Sequence, residues 1–75
     1  MTTETAGTVD TLGDALPREM ARVTKLIELY ASIGPAGGFA IALMRRDLAA
    51  AATALAEGDL VAMIRVYQSL KDYKA

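Results

Sequence analysis

The side chains that could do chemistry in this sequence are nine carboxylates, eight bases and the two serines Ser32 and Ser69, with no histidine and no cysteine. Without histidine there is no ordinary general acid-base group near neutral pH, and without cysteine no thiolate nucleophile. Neither serine sits in a strand-to-helix elbow that would expose a nucleophile. The carboxylates are scattered over the N-terminal arm and the helix surfaces, whereas a metal site lacking histidine and cysteine needs several acids together. Gly34-Pro35-Ala36-Gly37-Gly38 superficially resembles a phosphate-binding loop, but no Lys-Ser/Thr pair follows it and no strand precedes it. The expectation is a protein that is not an enzyme, with no catalytic set, no metal, no cofactor and no small-molecule substrate.

The bases Arg18, Arg22, Lys25, Arg45 and Arg46 have the chemistry to touch phosphates, yet the net charge is only -1. That balance is far from the basic footprint of a nucleic-acid binder, so nucleic acid is not the expected partner. Charge is also uneven: residues 1–14 carry Glu4, Asp10 and Asp14 and no base, which leaves the remainder faintly basic.

Seventy-five residues make one small domain with a limited core, and 15 of its hydrophobic residues are alanines that bury little surface each. Residues 1–13, rich in threonine and lacking a helical period, read as a flexible N-terminal arm, and residues 14–75 as a helical domain. The first helix is expected to begin near Pro17 with Asp14 as its cap. Leu16, Met20, Val23, Ile27 and Tyr30 form its inward stripe, and Arg18, Arg22 and Lys25 lie off it. Gly34-Pro35 ends that helix. A second, from Pro35 or Gly38 to Glu57, carries Ile41, Met44, Leu48, Ala51 or Ala52, and Leu55. Gly58 and Asp59 stop it and cap a third, Leu60 to Tyr73, expected to bury Leu60, Met63, Ile64, Tyr67 and Leu70. The fold class is all-α: a small three-helix bundle, self-associating, with a disordered arm.

One region has more apolar surface than a single core needs. Phe39 and Leu43 fall nearly opposite the Ile41-Met44-Leu48 stripe and in line with Arg46 and Ala50, while Leu26, Leu29 and Ile33 flank and widen the stripe of the first helix. These excesses meet at the Gly34-Pro35 corner. Either the other helices wrap this corner as core, or it is an exposed patch covered by a partner or a second copy. The candidate partner-binding residues are Leu29, Ile33, Phe39 and Leu43, with Arg45 and Arg46 as flanking contacts, and a homodimer through the first four is expected. Gly34, Gly38 and Ala42 have a small-xxx-small spacing that lets a backbone approach closely.

The segment Ala54–Tyr73, ALAEGDLVAMIRVYQSLKDY, resembles a tetratricopeptide-type helical hairpin, of which one copy makes no array. Over residues 11–75 the strings ALPREMARV, SIGPAGGFA and EGDLVAMIRVYQSLK resemble a group of short bacteriophage and prophage helical accessory proteins of unestablished function. The resemblance implies a phage-encoded interaction protein that inhibits or modulates a host protein complex, as anti-CRISPR and other anti-defence proteins do. The alternative is a self-associating regulatory or structural phage protein without a host target. No basic leader with an apolar run and no membrane-spanning stretch is evident, so the expected location is the cytoplasm of the bacterial host.

Overall fold

The computed structural model describes residues 11–74. They form three helices, α1 (Leu12–Ile33), α2 (Gly38–Glu57) and α3 (Leu60–Lys71), with a short 3-10 turn over Pro35–Gly37. The expected all-α three-helix architecture is what the chain adopts, and every pair of helices is in contact.

Helix α1 begins earlier than Pro17, and Asp14 is not its cap. Thr11 holds that place, in extended conformation, its Oγ1 accepting the backbone N–H of Asp14. The cap thereby satisfies one of the amides that a helix start leaves without a partner. Asp14 supports it from the first turn, its Oδ2 accepting the Thr11 hydroxyl at 3.0 Å. Pro17 sits inside the helix, where its missing N–H deprives the Gly13 carbonyl of its ordinary i+4 donor. Of the arm expected over residues 1–13, Thr11 to Gly13 are therefore cap and first turn, with Leu12 packed against the core. Residues 1–10 lie outside the described residues.

The corner after α1 turns on two glycines. Gly34 has φ 114°, a conformation that a side chain makes costly. Gly37 passes so close to α1 that an added Cβ would lie 2.8 Å from the carbonyl oxygen of Tyr30. Gly38, by contrast, has no atom within 4 Å of its Cβ position, so the Gly34-Gly38-Ala42 spacing carries no close approach at Gly38 within this chain. At the second corner Gly58 is left-handed (φ 66°), and Asp59 caps α3 by accepting the Ala62 amide at 3.1 Å, as the sequence indicated.

The core consists of Leu16, Val23 and Leu26 from α1, Met44, Ala51 and Ala54 from α2, and Met63, Val66 and Leu70 from α3. Met20, Ile27 and Tyr30 pack against it half-buried, as do Ile41, Leu48 and Leu55, so the first two stripes run where the spacing put them. Ala52 is exposed. Helix α3 is rotated from expectation and ends at Lys71 rather than Tyr73. Leu60 and Ile64, read as core, are 62% and 49% exposed, and Val66 takes the inward place. Apolar residues cover well over half the circumference of α3, from Ala62 through Val66, Leu70, Met63, Tyr67, Leu60 and Ile64 to Val61. Such a helix has no unique apolar face, and the alanine-lined side of α2 accepts Ala62 and Val66.

Connectivity fixes the relative lengths. Both corners are hairpins, so α1 and α3 run parallel on one side of the molecule. Arg22, the eleventh residue of α1, bonds to the carbonyl of Leu70, the eleventh of α3, so the two helices start level. At 1.5 Å per residue the 22-residue α1 is roughly 33 Å long and the 12-residue α3 roughly 18 Å. The third helix covers little more than half of the hairpin formed by the other two, and the segment through Lys74 extends that cover as far as the Tyr30 hydroxyl.

Candidate functional site

Where α3 ends, a set of polar contacts ties its C-terminus to the other helices. Arg22 donates from Nη2 to the Leu70 carbonyl at 2.7 Å and from Nη1 to the Tyr73 carbonyl at 2.8 Å, and its Nε donates to Glu19 Oε1 at 3.0 Å. One carbonyl of the last helical turn and one just beyond the helix are thus met by one fork of donors, with a positive charge at the negative end of the helix dipole. The Tyr30 hydroxyl donates to the Lys74 carbonyl at 2.6 Å. Tyr73 folds back over α2 and donates its hydroxyl proton to Asp47 Oδ2 at 2.7 Å.

Asp47 is the one buried acid among the described residues, and its other carboxylate oxygen, Oδ1, lies 3.4 Å from Arg46 Nη2. Burial first, and the neighbouring Asp47 carboxylate second, push the Tyr73 hydroxyl up to about 12. A phenol held protonated so far above neutrality is a structural donor and not a general base at pH 7. Asp47, Arg65 and Ser69 border an open cleft of about 250 Å³ between α2 and α3, with Ala50, Ala62 and Val66 as its other walls. Its carboxylate is engaged by Tyr73, and no nucleophile-base pair lines it. Among the described residues no three metal-ligating side chains come together, and no helix is long and apolar enough to cross a membrane.

The apolar corner is open. Phe39 is 78% exposed, Ile33 67% and Leu29 45%, while Leu43 is half-buried. Their positions follow from the short α3. On α1, Ala15, Arg22 and Leu26 lie on the side that faces α3; Leu29 and Ile33 continue that side at helical spacing past its end. On α2, Asp47 and Ala54 are buried and Leu43 extends their side toward the corner, while Phe39 lies about 80° from Asp47, in line with exposed Arg46 and Ala50. Leu29, Ile33 and Leu43 therefore border the side along which the third helix has stopped, with Phe39 at its outer edge. Of the two expected flanking bases, Arg46 lies within about 20° of Phe39 around α2, and Arg45 is 100° further round. Both are exposed.

Sequence reading missed three features. Arg22 and Asp47 looked like solvated surface charges, and nothing in their spacing marks them as partners of Leu70 and Tyr73. The third is a second exposed apolar group, Leu60, Val61 and Ile64, at the start of α3. It lies on the convex surface of one helix, in contrast to the two-helix face at the first corner. No protein-family model matches the chain, and neither a curated protein nor a solved structure matches it significantly.

Proposed function

We propose that this chain is a non-enzymatic interaction protein whose binding surface is the open face at the α1–α2 corner. The observation that carries the reading is the exposure of three large apolar side chains, Phe39, Ile33 and Leu29, on the two helices that meet at this corner. Contiguous exposed apolar surface of this kind marks interaction sites, and a large aromatic ringed by smaller residues concentrates binding energy. The likeness to short phage and prophage proteins supports a host protein complex as the partner, bound and inhibited or modulated, with a CRISPR effector or another defence complex as the target class. Arg46 is the flanking contact that shares the face.

The test is expression of the chain in cells carrying different defence systems, followed by phage challenge, with Phe39→Ala and Arg46→Glu compared against wild type. Phe39 is exposed, but Arg46→Glu also removes the 3.4 Å contact with buried Asp47, so both variants are first checked for native helicity and melting, and restored infection that disappears in folded variants supports the reading. Absence of any effect against every system overturns it. The competing reading is a homodimer through Leu29, Ile33, Phe39 and Leu43, favoured by the same open face. Light scattering at micromolar concentration reports twice the chain mass in that case.

A further inference from the structure

The two exposed apolar groups stand at opposite ends of the molecule. Leu29, Ile33 and Phe39 are at the α1–α2 corner, while Leu60, Val61 and Ile64 open α3, which starts level with α1 at the remote end. Both groups open on the side of the hairpin where α3 lies. On α1, Leu29 and Ile33 continue the α3-facing side, and the segment through Lys74 reaches Tyr30 without covering them. On α3, Val61 and Ile64 lie away from the buried stripe of Met63, Val66 and Leu70, so they point outward from the hairpin. Val61 is about 40° from Arg65, which lines the cleft toward α2, and Leu60 is on the other flank, toward α1.

The two halves also carry opposite net charge, with internal ion pairs counted in. The half toward the corner, residues 23–47 and 71–74, holds five bases and three acids and is net +2. The remote half, residues 11–22 and 48–70, holds three bases and four acids and is net -1. Two of those acids, the exposed Glu57 and Asp59, stand beside the apolar group that opens α3.

From the placement of the apolar groups and the opposite charge of the two halves, we infer that the occupant of the corner is a second copy of this chain, set antiparallel and face to face, with each corner on the first turns of the other copy's α3. A two-fold axis across the helices exchanges the ends, so each group meets the other kind and both contacts form at once. That axis lays α2 over α2, which brings Phe39 to Val61 of the other copy and Ile33 to its Leu60. The positive half of each copy then lies on the negative half of the other, whereas pairing corner to corner sets two positive halves together. Neither group of three side chains approaches the roughly 800 Å² per partner of a stable interface, and the symmetric pair uses both.

The inference goes beyond the proposed function and rests on its open corner, where a host protein competes with the second copy for Phe39. The sequence has no cysteine, so single-cysteine variants report proximity directly. Phe39→Cys, Val61→Cys and an equal mixture of the two are oxidised at micromolar concentration, and the disulfide-linked species are separated by mass. The mixed Phe39→Cys/Val61→Cys dimer should form at least about tenfold faster than either self-linked dimer, and the wild type should scatter light as two chains. Val61→Asp, at an exposed position, should raise the dimer Kd about tenfold or more with helicity and melting retained. Faster self-linking of Phe39→Cys overturns the inference in favour of a corner-to-corner pair. A monomeric wild type overturns it too and leaves the corner free, so that the phage challenge decides the broader reading separately. Mixed linkage without any phage phenotype upholds the pair and removes the anti-defence role.

Discussion

The hydroxyl of Tyr73 reaches across 26 positions of sequence to donate to the carboxylate of Asp47, at 2.7 Å. Each partner explains the other. A carboxylate buried against the alanine side of α2 needs a donor, and the C-terminal segment supplies it while covering the core beneath.

Tyr73→Phe should therefore lower stability by about 1–2 kcal/mol, since it removes one hydrogen bond and leaves a buried carboxylate oxygen without its donor. In an Asp47→Ala background the same substitution should cost clearly less. Urea unfolding of the four proteins of this double-mutant cycle measures the coupling, and strictly additive losses would show that the contact contributes nothing.

The same pair sets an alkaline limit. The folded hydroxyl titrates at about 12, above its ordinary value of 10, so its contribution is fully present below pH 10 and is lost as pH rises from 10 toward 12. Thermal midpoints should decline across that window more steeply for wild type than for Tyr73→Phe. Parallel curves would refute the linkage.

Two adjacent glycines should respond in opposite directions. Gly37→Ala drives a Cβ to 2.8 Å from the Tyr30 carbonyl oxygen, a backbone atom with little freedom to yield, and should cost about 1–3 kcal/mol. Gly38 has an ordinary helical φ of -60° and open space, so Gly38→Ala should be neutral or stabilise by up to about 1 kcal/mol. Calorimetry of the two variants checks the contrast.

Phe39→Ala should change stability by less than about 0.5 kcal/mol, because the ring is mostly in water. Met44→Ala, five positions further along α2 but fully inside the core, should cost about 2–5 kcal/mol. Denaturant midpoints decide this, and a large loss at Phe39 would mean that the ring fills the domain's own core.

What was legible in the sequence was whatever a local signal encodes. Gly34-Pro35 and Gly58-Asp59 join a stop to a start, and the stripes of α1 and α2 repeat cleanly enough to name their buried faces. The apolar excess at Leu29, Ile33 and Phe39 was visible for the same reason. Its exposure depends on the end of α3 relative to α1, which no local pattern states. Likewise Arg22, Asp47 and Tyr73 act across the bundle, and their roles appear only once α1 and α3 are seen to start level. Thr11 was hidden by Pro17, whose familiar place at a helix start drew the boundary too far along the chain. The rotation of α3 was illegible because its apolar arc is too wide to have a centre.

The unequal lengths of the helices give the molecule two regimes of backbone protection. Amides in the half of the hairpin beneath α3 are shielded on three sides and open to hydrogen exchange only when the bundle as a whole comes apart. Those in the last turns of α1 and the first of α2 are held by a two-helix contact and by Gly37 under Tyr30, so they can open locally while the rest stays closed. A partner seated on the corner would bring the second regime toward the first, and slowed exchange there would register its arrival without any change of fold.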